Sequence, residues 1–128
     1  MAITRINFQS IPVEDQDRAI AFYTQNLGFS VHTDAPYAEN WRWIFLTLPG
    51  AETKLQFASK ADMQVHDKPV LCLVCDDVDA EAENLRAADV EIADGPDGAP
   101  WQPGVRRLMI KDSEENLILL ESFKKQEA

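Results

Sequence analysis

The sequence predicts an α+β fold: two tandem βαβββ modules forming a curved eight-stranded cup. Three observations predict it. Ile11 to Phe29 reads as a strand end, a capped helix and a glycine turn into another strand. Val74 to Ile92 repeats that order, with Val74-Cys75-Asp76 ahead of the second helix as Val13-Glu14-Asp15 stands ahead of the first. Each of these units is followed by two further runs of strand-forming residues. A repeat of this size implies that neither half buries its hydrophobic face alone, so two four-stranded sheets are expected to meet.

Ile3 to Val13 reads as the first strand, with Ile6, Phe8 and Ile11 as its apolar content. In the helix that follows, Asp15 is placed to accept from a free N–H of the first turn, and Asp17 adds negative charge where the helix dipole favours it. Ala19, Ile20, Phe22, Tyr23 and Leu27 recur at spacings of three and four and make one face apolar. Gly28 stands where a positive φ commonly ends a helix. Phe29 to Thr33 is a short second strand, and Asp34 to Asn40, with Pro36 and Tyr37, reads as a loop. Trp41 to Leu48 is rich in β-formers and is closed by Pro49-Gly50. Thr53 to Ala58 completes a first module of about residues 1–59.

A polar, aperiodic stretch, about 60–68, links it to a second module of about 69–123 within one domain spanning 1–128. Pro69 to Asp76 is a nearly continuous apolar strand, expected to be buried on both faces. Asp77 or its neighbour caps a helix whose inner face is Val78, Ala82 and Leu85, and which ends at Ala88-Asp89. Asp is among the few residues that tolerate the left-handed conformation. Val90 to Ala93 is a short strand, and Asp94 to Gly104 is a Gly- and Pro-rich loop around Trp101. Val105 to Lys111 and Leu117 to Phe123 are the last strands, joined by Asp112 to Asn116. In that turn Glu115 or Asn116 must supply any positive φ, and Asn is the easier choice. The charged tail, 124–128, is expected to fray.

With 128 residues, 45% of them hydrophobic, the chain fits one compact domain, or two half-domains sharing a core. A formal net charge of −10 argues against nucleic acid and anionic membrane surfaces, which attract Lys and Arg, and suits a cationic ligand. Cys72 and Cys75 have CxxC spacing, but no second pair exists to build a zinc ribbon. Three apart on a strand, they point to opposite faces, so they are expected to be reduced core residues of a cytosolic protein. Neither a signal-peptide stretch nor an apolar run long enough to span a bilayer is present, and a cytoplasmic location is expected. No G-x-S-x-G, P-loop or G-x-G-x-x-G supports nucleophilic or nucleotide chemistry. Arg106 and Arg107 either meet an anionic ligand or pair with the abundant acids.

The run Val13-Glu14-Asp15-Gln16-Asp17-Arg18-Ala19 through Phe22-Tyr23 to Leu27-Gly28-Phe29 is similar to the V-x-D-x-x-x-A-x-x-F-Y-x-x-x-L-G-F signature of the vicinal oxygen chelate superfamily. That group includes glyoxalases, bleomycin resistance proteins and extradiol dioxygenases. Trp43 to Gly50 resembles its third strand, and Leu85 to Ile92 with Asp112 to Leu120 resembles its second module. The resemblance implies the paired-module fold, a homodimer, and, in catalytic members, a divalent metal. The metal positions correspond here to Phe8, Gln56, Val70 and Leu119. Phe, Val and Leu carry no donor, whereas a divalent metal needs three or four. No metal or other cofactor is therefore expected.

The expected function is binding of a small cationic or aromatic molecule in the cup, as in the bleomycin resistance type. Phe8, Gln56, Val70, Cys72, Leu119 and Glu121 are candidate lining residues, with Trp41, Trp43 and Trp101 as stacking platforms and Tyr37 beside them. Glu121 shares a strand face with Leu119 and is the one candidate for acid–base chemistry. His32 and His66 are isolated. The alternatives are a metal-dependent lyase, isomerase or dioxygenase with relocated ligands, and a dimeric regulatory partner whose cup is filled by side chains.

Overall fold

The computed structural model describes residues 2–64 and 67–123. The chain divides into two compact units, Met1–Val65 and His66–Ala128. Each is a four-stranded sheet carrying one helix. The first unit runs β1 (Phe8–Val13), α1 (Gln16–Asn26), β2 (Ser30–Ala38), β3 (Trp41–Thr47) and β4 (Lys54–Ser59). Its sheet order is β1-β4-β3-β2, with β1 parallel to β4 and the other pairs antiparallel. The second runs β5 (Pro69–Val74), α2 (Val78–Ala87), β6 (Ile92–Gly98), β7 (Val105–Lys111) and β8 (Leu117–Phe123). Its order β5-β8-β7-β6, with β5 parallel to β8, repeats the first. His66 and the tail 124–128 lie outside the described residues. No helix among the described residues is long and apolar enough to cross a membrane.

Both helices start where a side-chain oxygen relieves an unpaired N–H. The Asp15 carboxylate accepts from the Arg18 N–H at 3.0 Å, and Asp77 accepts from Asp79 and Ala80 at 2.9 and 3.3 Å. Helix α1 ends at Gly28, φ 77°. Helix α2 ends in a Schellman motif: the Val90 N–H returns to the Leu85 carbonyl at 2.9 Å and the Asp89 N–H to Arg86 at 3.0 Å. Asp89 holds the left-handed position, φ 60°.

In the first unit Ala19 and Tyr23 pack with Ile11, Val13, Ile44, Leu46, Leu55 and Phe57, all buried. The Tyr23 ring meets Phe29 and Phe57 at 5.5 and 6.0 Å. Gln16 pins the helix start to β3, donating to the Arg42 carbonyl at 2.9 Å and accepting its N–H at 3.0 Å. In the second unit Val78, Ala82 and Leu85 are buried with Leu108, Ile110, Ile118 and Leu120. Ile20, Phe22 and Leu27, expected on the inner face, are only half-buried.

The strand expectations need four corrections, each with a physical cause. β1 begins at Phe8, not Ile3, because its partner β4 begins at Lys54; Ile3 and Ile6 are exposed. β2 extends through the expected loop to Ala38. Pro36 is tolerated there because β2 is an edge strand, and the register slips on either side of it. β6 likewise extends to Gly98, helped by Gly95 at φ 84°, where a Cβ would sit 2.9 Å from the Arg107 carbonyl oxygen. β5 is not buried on both faces: it lies at a sheet edge, Val74 is 69% exposed, Cys72 is exposed and Cys75 half-buried, both with free thiols. Cys72 and Val74 share one face of β5, so it is that face which is exposed, and the apolar composition of this run does not reveal it.

The β7–β8 turn is also corrected. Glu115, not Asn116, takes the positive φ, 69°. Asp112 Oδ1 accepts the Glu114 and Asn116 N–H groups at 2.8 Å each, and Oδ2 accepts from Asn116 Nδ2 at 2.9 Å. Asn116 is committed to that carboxylate, and the strained position falls to its neighbour. Glu115→Gly removes a left-handed penalty of about 1–2 kcal/mol, partly offset by the greater freedom of glycine in the unfolded chain. A rise in Tm of about 2–4 °C by calorimetry is expected. An unchanged or lower Tm would mean that Glu115 carries no strain.

Candidate functional site

Period-two alternation sorts the first sheet into two faces. Arg42, Ile44 and Leu46 of β3 face α1. Trp41, Trp43 and Phe45 face the other way, alongside Phe8 and Ser10 of β1 and Gln56 of β4. On this second face the rings form a row. Phe8 meets Phe45 edge-on at 5.2 Å, Phe45 meets Trp43 at 5.3 Å, and Trp43 meets Tyr37 of β2 at 5.2 Å. The Trp–Tyr end opens into a cleft of about 560 Å³, lined among others by Tyr37, Trp41, Trp43, Gln56, Glu39 and Asp62. Glu39 and Asn40 form the tight turn between β2 and β3, with Asn40 at φ 65°.

The polar groups of this face are few. Gln56 is 8% exposed, and its Oε1 accepts from the Ser10 hydroxyl at 2.6 Å. Two carboxylates, Glu39 and Asp62, stand in the lining, and no Lys or Arg among the described residues joins them. Arg42 belongs to the opposite face, held by Asp17 at 2.8 Å and Asp34 at 3.0 Å.

The second unit carries the other candidates. Cys72 of β5 lies in register with Leu119 of β8, and its S–H donates to Glu121 Oε1 at 2.9 Å. Val70 and Leu119 are half-buried; Val70 adjoins a register slip between Pro69 and Leu71. Trp101 is 54% exposed, between β6 and β7. Arg106 clasps Asp79 through two bonds at 2.7 and 2.9 Å and holds that carboxyl below its usual range. Arg107 lies opposite Glu121 in the ladder but pairs with Asp94 at 2.9 Å and Asp97 at 3.0 Å. Both arginines are thus engaged by acids.

Desolvation, and then the Glu121 carboxylate, push the Cys72 thiol from 9.0 up to about 12. Such a rise lowers the thiolate fraction below pH 8 by roughly a thousandfold, partly compensated by the greater nucleophilicity of a more basic thiolate. Alkylation of Cys72 by iodoacetamide is expected to run about 30- to 60-fold slower than that of an ordinary thiol at pH 8. Glu121→Gln should speed it several-fold. Equal rates in both proteins, followed by mass spectrometry, would show that the carboxylate does not hold the proton on sulfur.

The four positions that resemble metal-ligand sites do not fit a divalent ion. Phe8 packs its ring on Phe45; Phe8, Val70 and Leu119 have no donor atom, and Gln56 alone offers an oxygen, which already accepts the Ser10 hydroxyl. No group of three or more His, Cys, Asp or Glu that could hold a metal occurs among the described residues. His32 Nδ1 lies 2.7 Å from Thr33 Oγ1 on the exposed edge strand.

Residues 5–120 match the family model of the Glyoxalase/Bleomycin resistance protein/Dioxygenase superfamily. The chain belongs to that superfamily. It is 30% identical over 120 residues to YetH of Bacillus subtilis (strain 168), covering 92% of this chain and 98% of that one. Its fold is similar to the crystal structure of TnmS3, an antibiotic binding protein from Streptomyces sp. CB03234: TM-score 0.83, 34% identity, 97% and 99% of the two chains. A superfamily member from Sphaerobacter thermophilus DSM 20745 superposes with TM-score 0.82 at 25% identity, over 95% and 99%.

In this superfamily member the site contains residues that the sequence reading passed over. Phe45 links Phe8 to Trp43, and counting by two along β3 from Trp41 would have found it. Ser10, Glu39 and Asp62 carry no sequence signal, because their relation to Gln56 and the tryptophans exists only once β1, β3 and β4 are in register.

Proposed function

We propose that this superfamily member is a metal-free binding protein that holds a planar, cationic aromatic molecule against the aromatic face of the first unit. The observation that carries this reading is the row Phe8–Phe45–Trp43–Tyr37 ending in a cleft of about 560 Å³. Pre-packed rings offer flat contact area at little entropic cost, and indole faces attract cations. Glu39 and Asp62 in the lining and the net charge of −10 favour a positive ligand. The similar TnmS3 is itself described as an antibiotic binding protein. A cytoplasmic location is part of the proposal, since free thiols persist in a reducing compartment; a homodimer is added on the ground of the superfamily membership.

Titration with proflavine, a planar three-ring cation, is expected to quench tryptophan fluorescence with saturation and to raise Tm as ligand accumulates. The anion anthracene-2-sulfonate should bind more weakly. Dialysis against a chelator should leave both results unchanged. Absence of quenching by planar cations would overturn the binding reading. Binding lost on chelation and restored by a divalent metal would overturn the metal-free part. Sedimentation at the 14.4 kDa of a single chain at micromolar concentration would refute the dimer.

A further inference from the structure

We infer that Gln56, oriented by Ser10, is the specificity-determining donor of this cleft, and that it selects planar ligands with a carbonyl on the ring edge. The inference rests on the aromatic-face reading above. Gln56 is more than nine-tenths buried yet lines the cleft. Its carbonyl end already accepts the Ser10 hydroxyl at 2.6 Å. Its Nε2 donates to no described group. That nitrogen is not among the fully buried unpaired atoms of the described residues, so water reaches it in the free cleft; a ligand lying over it strips that water away, and an N–H then left without an acceptor is costly. Gln56 also stands directly opposite Phe45 in the β3–β4 ladder, beside the middle of the ring row. A flat molecule lying on Trp43 in the cleft therefore brings an edge toward β4, where Gln56 shares the lining. An acceptor on that edge completes the amide; a plain hydrocarbon edge leaves it unpaired. Ser10 acts through Gln56 and is a positioning residue: its hydroxyl holds the oxygen end back and so turns the nitrogen end to the ligand. The residue that could have offered an oxygen to a metal is thereby presented as a hydrogen-bond donor.

The test compares two probes that differ only in the carbonyl, 2-(aminomethyl)fluorenone and 2-(aminomethyl)fluorene, by calorimetric titration against the full chain. The fluorenone is expected to bind about three- to tenfold more tightly, the worth of one net hydrogen bond. Ser10→Ala and Gln56→Leu should each erase that preference, and Ser10→Thr, which keeps a hydroxyl, should retain it. If Gln56→Leu fails to fold, the Ser10 pair still decides. Equal affinities for the two probes in the wild-type chain would overturn the donor role and leave the aromatic-face reading standing. A preference that survives Ser10→Ala would overturn the positioning role. Binding of neither probe would overturn both readings.

Discussion

Trp43→Ala is expected to weaken proflavine binding by about ten- to hundredfold, the largest effect of any single substitution on the proposed site. Trp43 is the ring that touches both neighbours, Phe45 at 5.3 Å and Tyr37 at 5.2 Å, and it also lines the cleft. Its removal therefore deletes a platform and releases the two rings that it holds in place. Tyr37, 62% exposed at the end of the row, has one ring neighbour, so Tyr37→Ala should cost less, about three- to tenfold. Fluorescence anisotropy of the dye follows binding without relying on the tryptophan that is removed. If Trp43→Ala leaves the dye affinity within twofold while Tm stays near the wild-type value, the ligand does not lie on this face.

Asp112→Ala is expected to destabilise the protein by about 3–5 kcal/mol and to lower Tm by roughly 10–20 °C. One carboxylate, 7% exposed, accepts from three donors: the backbone N–H groups of Glu114 and Asn116 and the side-chain amide of Asn116. Alanine leaves three donors in a turn where Glu114 and Asn116 are fully buried. Hydrogen bonds to a charged acceptor are about twice as strong as neutral ones, and their loss is felt together rather than one at a time. Asp112→Asn keeps Oδ1 as an acceptor but sets an N–H against Asn116 Nδ2, so it should fall between alanine and wild type. Urea unfolding followed by circular dichroism measures both. A loss below about 1 kcal/mol for Asp112→Ala would show that water replaces the carboxylate.

The parts of the fold that were legible in the sequence are those decided by near neighbours. The Asp15 and Asp77 caps, Gly28 at the end of α1 and left-handed Asp89 at the end of α2 each follow from a few adjacent residues. The inner face of α2, Val78, Ala82 and Leu85, follows from the helical period alone. The candidate site was legible only in outline. Trp41, Trp43 and Gln56 do line one cleft, and Cys72 and Glu121 do meet. The strand ends were misjudged wherever a proline or glycine marked an edge strand rather than a loop, as at Pro36 and Gly95. The Pro69–Val74 run was misjudged because apolar composition does not show that the face carrying Cys72 and Val74 is exposed.

The sequence by itself determined the repeat of βαβββ units and the positions of the caps. These depend on residue identity and short spacing, which the chain carries along its length. Only the tertiary structure decided that Ser10 meets Gln56 across 46 residues, that Gln16 ties α1 to Arg42, and that Glu115 rather than Asn116 takes the strained turn position. Each of these is a pairing of a donor with an acceptor, or a conformation forced by such a pairing. Strand register sets them, and a one-residue change of register would present every side chain of a strand to the opposite face.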